Sequence, residues 1–491
     1  MELSSLEPKD VWKHFFTICS IPHPSHHEEA LARALESWAK DRGLRPRRDD
    51  KGNLAFSKAA TPGKENSPGV ILQCHLDMVP QASGSSAHDF TLDAIRPRLD
   101  PADDAWMMAT GTTLGADNGI GMAMALAALE DDKLEHGPLE CVFTVNEEDG
   151  MSGAKGLQPG LLEGTVLLNL DGEDERELTI GCAGSIRSIS RLSHPAEPTP
   201  ASYAWYELRL SGLLGGHSGM DIDKGRANAC LALARILDKA GQAPCLVSLQ
   251  GGTASNAIPR EAAAVVGVSE ESKGAFIQAL DREALALKAE LGPADPGLRL
   301  EIKPATAAPM ALNPVASQHF LALLAGLPNG LYAMESDMPS LVRSSSNLGT
   351  LKAGTSAASF TAEVLVMVRS SSDEEKEAYA AAAERRLSGA EATGWQLSIE
   401  RPSTTPAWSP NPSSALLTLC KKVYREERGE EPAVLSTHGG LECGIFRPRF
   451  PAWDMISFGP TIRNPHSPDE RLHIASVGRS YAFLKRLIAA I

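Results

Sequence analysis

The sequence contains no CxxC pair and no dense cysteine framework; its 8 cysteines are scattered at 19, 74, 141, 182, 230, 245, 420 and 443. Several sit inside apolar runs, as in ILQCHL and LECVF, where a reduced thiol serves as a small core group. This pattern points to a reducing compartment. Positive charge is also short. With 47 basic against 62 acidic residues the formal charge is -15, which opposes extended contact with a polyphosphate backbone or an anionic membrane. No nucleic-acid or membrane partner is therefore expected. The segment MELSSLEPKDVWKHFF is charged early and lacks a long apolar stretch, so neither a signal peptide nor a membrane span is predicted and a cytoplasmic protein is expected. No fixed-period repeat and no long disordered tract is visible.

What is present is ample apolar material: 491 residues with 43% hydrophobic content predict two domains or more. Residues 25–42 space Ala30, Leu31, Ala34, Leu35 and Trp38 as one face of a helix. GVILQCHLDMV at 69–79, LECVFTVNEEDG at 139–150 and TVLLNLDGEDE at 165–175 are apolar runs that end in histidine or acidic residues, with a helix of Ala, Met, Leu and Gly at about 119–130. Strands separated by helices predict an α/β domain with a mostly parallel central sheet flanked by helices, whose ligand site lies beyond the strand ends. From about 185 the texture changes to alternating and branched strands between helical stretches such as 227–240 and 374–389, the pattern of an α+β domain. After the Pro/Ser-rich stretch 401–414 the first style returns. An inserted domain at 185–402, flanked by halves at 1–184 and 403–491, is the expected organisation.

The polar strand ends carry the candidate chemistry. His75 and Asp77 lie two apart, so a strand's period puts both side chains on one side; they are either a capped loop or a metal-binding imidazole with a carboxylate behind its second nitrogen. Asp117 sits between a glycine turn and a helical run, as a helix cap or as a short carboxylate bridging two cations. Glu147 and Glu148 form either a solvated acidic loop with Asp149 or a pair in which one binds metal and the other acts as general base. Asp171 closes LLNLDGE at a strand end, and His466 lies in NPHSPDE, where it is a loop residue or a second imidazole. Two imidazoles and three carboxylates suit zinc, with manganese or cobalt as substitutes.

HLDMV at 75–79, GADNG at 115–119, NEEDG at 146–150, LDGE at 170–173, GGHSG at 215–219 and NPHSPDE at 464–470 resemble, in order and spacing, the dinuclear metallopeptidase family that includes glutamate carboxypeptidases, aminoacylases and dipeptidases. A narrower likeness to the family's dipeptidases is carried by IPHPSHHE at 21–28, NLDGEDE at 169–175, SNAIPREA at 255–262 and THGGLECGIF at 437–446. The resemblance implies a catalytic domain in two parts and an inserted lid and substrate-binding domain. It implies two divalent metals, zinc with manganese or cobalt as substitutes, with Asp117 bridging, His75 and Asp171 completing one site, and Glu148 and His466 the other. Asp77 is then the carboxylate behind His75, and Glu147 the base that activates a water held between the metals. His217 is implied as donor to the oxyanion; its alternative is a structural loop histidine. Arg369 and Asn256 are implied to hold the substrate's carboxylate and backbone, although Arg369 also reads as a charge ending a strand. Glu442, in a segment expected to line the substrate pocket, either orients a ligand or caps a turn. The implied activity is hydrolysis of unblocked dipeptides, those ending in histidine and β-alanyl-histidine among them, by a homodimer. An N-acyl amino-acid deacylase or carboxypeptidase, an aminotripeptidase and a silent scaffold are the competing readings.

Overall fold

The computed structural model describes residues 3–84, 86–336 and 341–491. The chain divides into two compact units: Met1–Cys182 with Trp408–Ser436 and Leu441–Ile491, and Ala183–Ala407 with Thr437–Gly440. The short piece Thr437–Gly440 groups with the second unit, although composition placed it in the closing half of the first.

The first unit is built on an eight-stranded sheet in the order Arg47–Arg48, Leu54–Lys58, Leu139–Thr144, Val70–His75, Val166–Asn169, Asp454–Ser457, Glu177–Cys182 and Ala433–Thr437. Its four central strands, Leu139–Thr144 through Asp454–Ser457, run parallel. Antiparallel strands flank them on both sides. Both faces of the parallel part are covered, which explains why these strands read as continuous apolar runs rather than as alternation. Val70, Leu72 and Cys74 pack in one core with Phe15, Ile120, Met124 and Leu484 from helices Lys9–Cys19, Ala116–Glu130 and Ile474–Ala490. Ile71, Val142 and Leu167 face the other way, against Cys443 and Phe446 of helix Glu442–Arg449. By strand period Gln73 and His75 point to this second face.

A four-stranded sheet absent from the sequence reading pairs Ile462–Arg463, Arg471–His473, Asp103–Ala109 and Pro97–Asp100 in that order. Ile462 opposes Leu472 and Arg463 opposes Arg471, so residues 464–470 are the loop of a hairpin. His466 stands in that loop.

The second unit is an antiparallel nine-stranded sheet with helices Ala229–Ala240, Lys273–Leu291, Pro314–Ala325 and Asp373–Ser388. Leu233, Phe276, Phe320 and Leu387 from these helices share a core with Leu208, Leu246, Val364 and Val366 of the strands. This is the α+β arrangement expected from its sequence texture. The eight cysteines are buried, and no disulfide joins them. Among the described residues no helix is long and apolar enough to cross a membrane.

Candidate metal centre

The first unit brings His75, Asp77, Asp117, Glu147, Glu148, Asp171 and His466 to the carboxyl ends of its parallel strands. His75 ends its strand, Asp171 stands two residues past Asn169, and the two glutamates follow Thr144 after a turn. Asn146 makes that turn with φ +53°, a left-handed conformation that asparagine tolerates. Its main-chain N–H donates to Glu28 Oε1 at 2.9 Å and its side-chain amide donates to the Asp149 carbonyl at 2.9 Å.

Asp117 precedes the regular part of helix Ala116–Glu130: it and Asn118 depart from helical dihedrals, and the peptide between them is cis. Gly115 has φ +67°, and a Cβ there would meet Met78 Sδ at 2.9 Å. Only glycine satisfies both demands. Gly121 has a second such reason, since a Cβ would meet the Leu170 carbonyl oxygen at 2.5 Å. Its absence lets the helix touch the strand end that carries Asp171.

The two oxygens of Asp117 face different imidazoles. Oδ1 is 3.0 Å from His75 Nε2, and Oδ2 is 3.1 Å from His466 Nε2. Asp171 Oδ1 lies 3.4 Å from His75 Nε2, and Glu148 Oε1 lies 3.0 Å from His466 Nε2. Donor atoms of His75, Asp117 and Glu148 all fall within 4.8 Å of one another. His75 Nδ1 is 2.8 Å from the main-chain carbonyl of Asp77, an acceptor only, so this nitrogen carries a proton. In a neutral ring Nε2 then presents a lone pair to two carboxylate oxygens. A proton on Nε2 satisfies this arrangement, and so does a divalent metal, which the donor set suits.

The electrostatics agree. Burial raises the pKa of Glu147, with the nearby Glu148 and Asp171 adding to it against the pull of His75. Burial and then Asp117 raise Glu148; burial likewise raises Asp171, where His75 opposes the shift and Asp117 adds to it. Burial disfavours charge on His75 and His466, yet the surrounding carboxylates hold both well above the ordinary imidazole value. The pocket thus concentrates more carboxylate than its own imidazoles balance.

Some supports were singled out in the sequence, Asp77 and Glu442, and others were not, Asn118 and Glu470. The carboxylate of Asp77 stands behind His75, its Oδ1 3.6 Å from Nδ1. It also accepts the main-chain N–H of Glu147 at 2.9 Å, that of Glu148 at 3.2 Å and the Ser25 hydroxyl at 2.7 Å. Asn118 donates its side-chain amide to Asp171 Oδ1 and, at 3.0 Å, to the Leu170 carbonyl. Glu470 accepts from four successive main-chain N–H groups of the Asp117 loop. Glu442, 1% exposed, accepts from Thr144 Oγ1 at 2.7 Å and Gln73 Nε2 at 2.5 Å. It therefore braces the strands beneath the centre. Burial pushes its carboxyl up to about 8. Only polar residue type marked Asn118 and Glu470, whose partners lie tens to hundreds of residues away.

The second unit holds His217, Asn256 and Arg369. His217 lies on a two-residue strand, with Gly216 opposite Ile258 and His217 opposite Ala257. The N–H groups of Gly219 and Met220 both donate to His217 Nδ1 at 3.2 Å, which puts the proton of a neutral ring on Nε2. Asn256 accepts the N–H of Ser218 through its main-chain carbonyl at 2.7 Å. Arg369, on strand Ser359–Ser370, is 7% exposed and donates weakly to the His438 carbonyl at 3.4 Å. Among the described residues no carboxylate pairs with it, and burial, followed by the nearby Arg187, lowers its pKa to about 10. His438 sits beside it, its Nε2 2.7 Å from Ser345 Oγ.

With fold and centre in place, the chain is a member of peptidase family M20/M25/M40, whose model matches residues 71–490. It is 40% identical over 496 residues to the cytosol non-specific dipeptidase of Escherichia coli K12, an alignment covering 100% of this chain and 99% of that protein. The crystal structure of aminoacylhistidine dipeptidase from Vibrio alginolyticus superposes with a TM-score of 0.85 at 40% identity, covering 100% of this chain and 98% of that one. A tripeptidase from Staphylococcus aureus shares the fold at a TM-score of 0.62 and 15% identity, covering 99% of this chain and 98% of that one.

Proposed function

We propose that this protein hydrolyses the peptide bond of unblocked dipeptides, including those ending in histidine, with two divalent metals bridged by Asp117. The observation that carries the reading is the division of Asp117's oxygens between His75 and His466, each imidazole with its own further carboxylate, Asp171 or Glu148. The full-length likeness to two dipeptidases supports the substrate class. Zinc suits the mixed nitrogen and oxygen donors, and manganese or cobalt can replace it. β-Alanyl-histidine falls within the proposed range.

His75, Asp117, Glu148, Asp171 and His466 would hold the metals, which would supply polarisation of the scissile carbonyl and a more acidic water. Every other role falls to the chain. Glu147 takes the proton from the attacking water and returns it to the leaving amine, acting as base and then as acid. Asp77 fixes the main chain of Glu147 and Glu148 and so aims both side chains. His217, a neutral donor through Nε2, stabilises the oxyanion. Arg369, buried and without a carboxylate partner among the described residues, binds the substrate's terminal carboxylate, and Asn256 its backbone. The protein acts in the cytoplasm as a homodimer.

The test is parallel hydrolysis of alanyl-histidine and its N-acetylated form by metal-loaded and chelator-treated protein. Metal-dependent cleavage of the free dipeptide alone is expected. Cleavage of the acetylated compound alone would make the protein a deacylase.

A further inference from the structure

Glu470 follows His466 by four residues in the same hairpin loop and is 2% exposed. Oε2 accepts the N–H of Leu114 at 2.7 Å and of Gly115 at 3.0 Å. Oε1 accepts the N–H of Ala116 at 2.8 Å and of Asp117 at 3.2 Å. The left-handed turn at Gly115 curls these consecutive N–H groups into a concave cradle, a backbone arrangement that favours anions. Elsewhere such a cradle takes a bound phosphate or carboxylate; here the chain fills it with its own side chain.

The two loops joined in this way carry the groups that face each other across the centre. Asp117's own N–H is one of the four bonds, so the grip reaches the residue that bears the bridging side chain. At the other end His466 Nε2 stands 3.1 Å from Asp117 Oδ2. His466 itself has φ +60°, an unfavourable conformation for a side chain of its size unless the surrounding loop holds it there.

We propose that Glu470 is a positioning residue that sets Asp117 against His466 and thereby allows one carboxylate to serve two cations. The inference rests on the two-metal reading above. The competing role is a simple staple that stabilises the loop without setting the centre. Glu470→Gln separates the two: the amide keeps the size and one acceptor oxygen, but its NH2 faces donors and forfeits the bonds on that side. Glu470→Asp keeps the charge on a shorter arm.

The decisive experiment titrates Mn2+ into metal-free wild-type, Glu470→Gln and Glu470→Asp proteins, following both the binding isotherm and the electron paramagnetic resonance spectrum. Two Mn2+ ions sharing a carboxylate give a spin-coupled spectrum, whereas separate ions do not. Wild type is expected to bind a coupled pair. Glu470→Gln is expected to bind the second ion roughly 10- to 100-fold more weakly and to lose the coupled signal, with Glu470→Asp in between. Wild-type affinities and an intact coupled spectrum in Glu470→Gln overturn the proposal even if the thermal midpoint falls. If Glu470→Gln does not fold, Glu470→Asp decides by the same readings, and failure of both to fold overturns it, because the role assigned lies in the loops and not the core. A wild-type protein without a coupled pair overturns the two-metal reading itself and this inference with it.

Discussion

The imidazole of His75 meets Asp77 twice: Nδ1 lies 2.8 Å from its carbonyl oxygen and 3.6 Å from its carboxylate Oδ1. The same carboxylate holds the turn that carries Glu147 and Glu148. Asp77→Asn is therefore expected to lower kcat by roughly 10- to 100-fold while leaving metal content near that of wild type. Metal analysis after gel filtration decides the matter. Loss of one metal in proportion to activity would mean that the carboxylate acts chiefly through His75.

Glu147 carries no hydrogen bond to its carboxylate among the described residues, unlike Asp77, Asp171 and Glu442. A base left untied can swing between the water and the leaving nitrogen. Glu147→Gln should reduce kcat by roughly 10²- to 10⁴-fold with little change in KM. A comparable rise in KM with kcat intact would remove it from proton transfer.

Arg369 is a buried guanidinium without a carboxylate partner in the described residues, so a substrate carboxylate gives it the counter-charge it lacks. Arg369→Ala should raise KM for a dipeptide by roughly 10- to 150-fold, equivalent to about 1.5–3 kcal/mol for hydrogen bonds to a charged group. The matching dipeptide amide, lacking the terminal carboxylate, should respond far less. Equal losses on both compounds would argue that the arginine supports the sheet instead.

Metal removal should loosen the first unit as well as silence it. Asp117, Glu147, Glu148 and Asp171 crowd two imidazoles in a buried space, and bound cations offset that repulsion. Chelation is expected to lower the thermal midpoint, and readdition of Zn2+ or Mn2+ at a hundredfold excess over its dissociation constant should restore about 2.7 kcal/mol per site. An unchanged midpoint would show that the apo centre is not under electrostatic load.

The pH dependence of stability has an identifiable contributor in His438. Burial, with Arg369 next in weight, pushes its pKa from 6.5 down to about 3. The folded protein thus keeps a neutral ring over a range in which the unfolded chain protonates it. Its contribution is complete above pH 6.5 and is lost as the pH falls toward 3, at about 1.4 kcal/mol per pH unit. Denaturation midpoints at pH 7 and pH 5 should diverge more for wild type than for His438→Gln. Parallel slopes would assign the acid sensitivity elsewhere.

Those parts of the architecture governed by local pattern were legible in the sequence. The runs at 69–79, 139–150 and 165–175 contain the parallel strands Val70–His75, Leu139–Thr144 and Val166–Asn169, and the helix placed at 119–130 matches the regular part of Ala116–Glu130. Helices Ala229–Ala240 and Asp373–Ser388 match the stretches 227–240 and 374–389 to within two residues at either end. The hidden features depend on partners distant in the chain. Nothing near PHSPDE shows that Glu470 will receive the N–H groups of Leu114–Asp117, because a backbone donor leaves no mark in the side-chain alphabet. The same holds for Asp77, whose spacing from His75 pointed to the carboxylate–imidazole contact but not to its bond with a main chain 70 residues away. His438 lies in a segment whose composition resembles the first unit but whose contacts belong to the second.

The strand Asp454–Ser457 occupies the middle of the first sheet, between Val166–Asn169 and Glu177–Cys182. On the ribosome, that place stays vacant until Asp454–Ser457 emerges, long after its neighbours Val166–Asn169 and Glu177–Cys182. His75, Asp117 and Asp171 are all made early, but the loop bearing His466 follows directly behind the missing strand. Completion of the sheet and delivery of the last imidazole are consequently successive moments of one late event. With Glu148 also made early, the nascent chain has four of the donors and an open seam; once the seam closes, the centre gains its fifth donor with it.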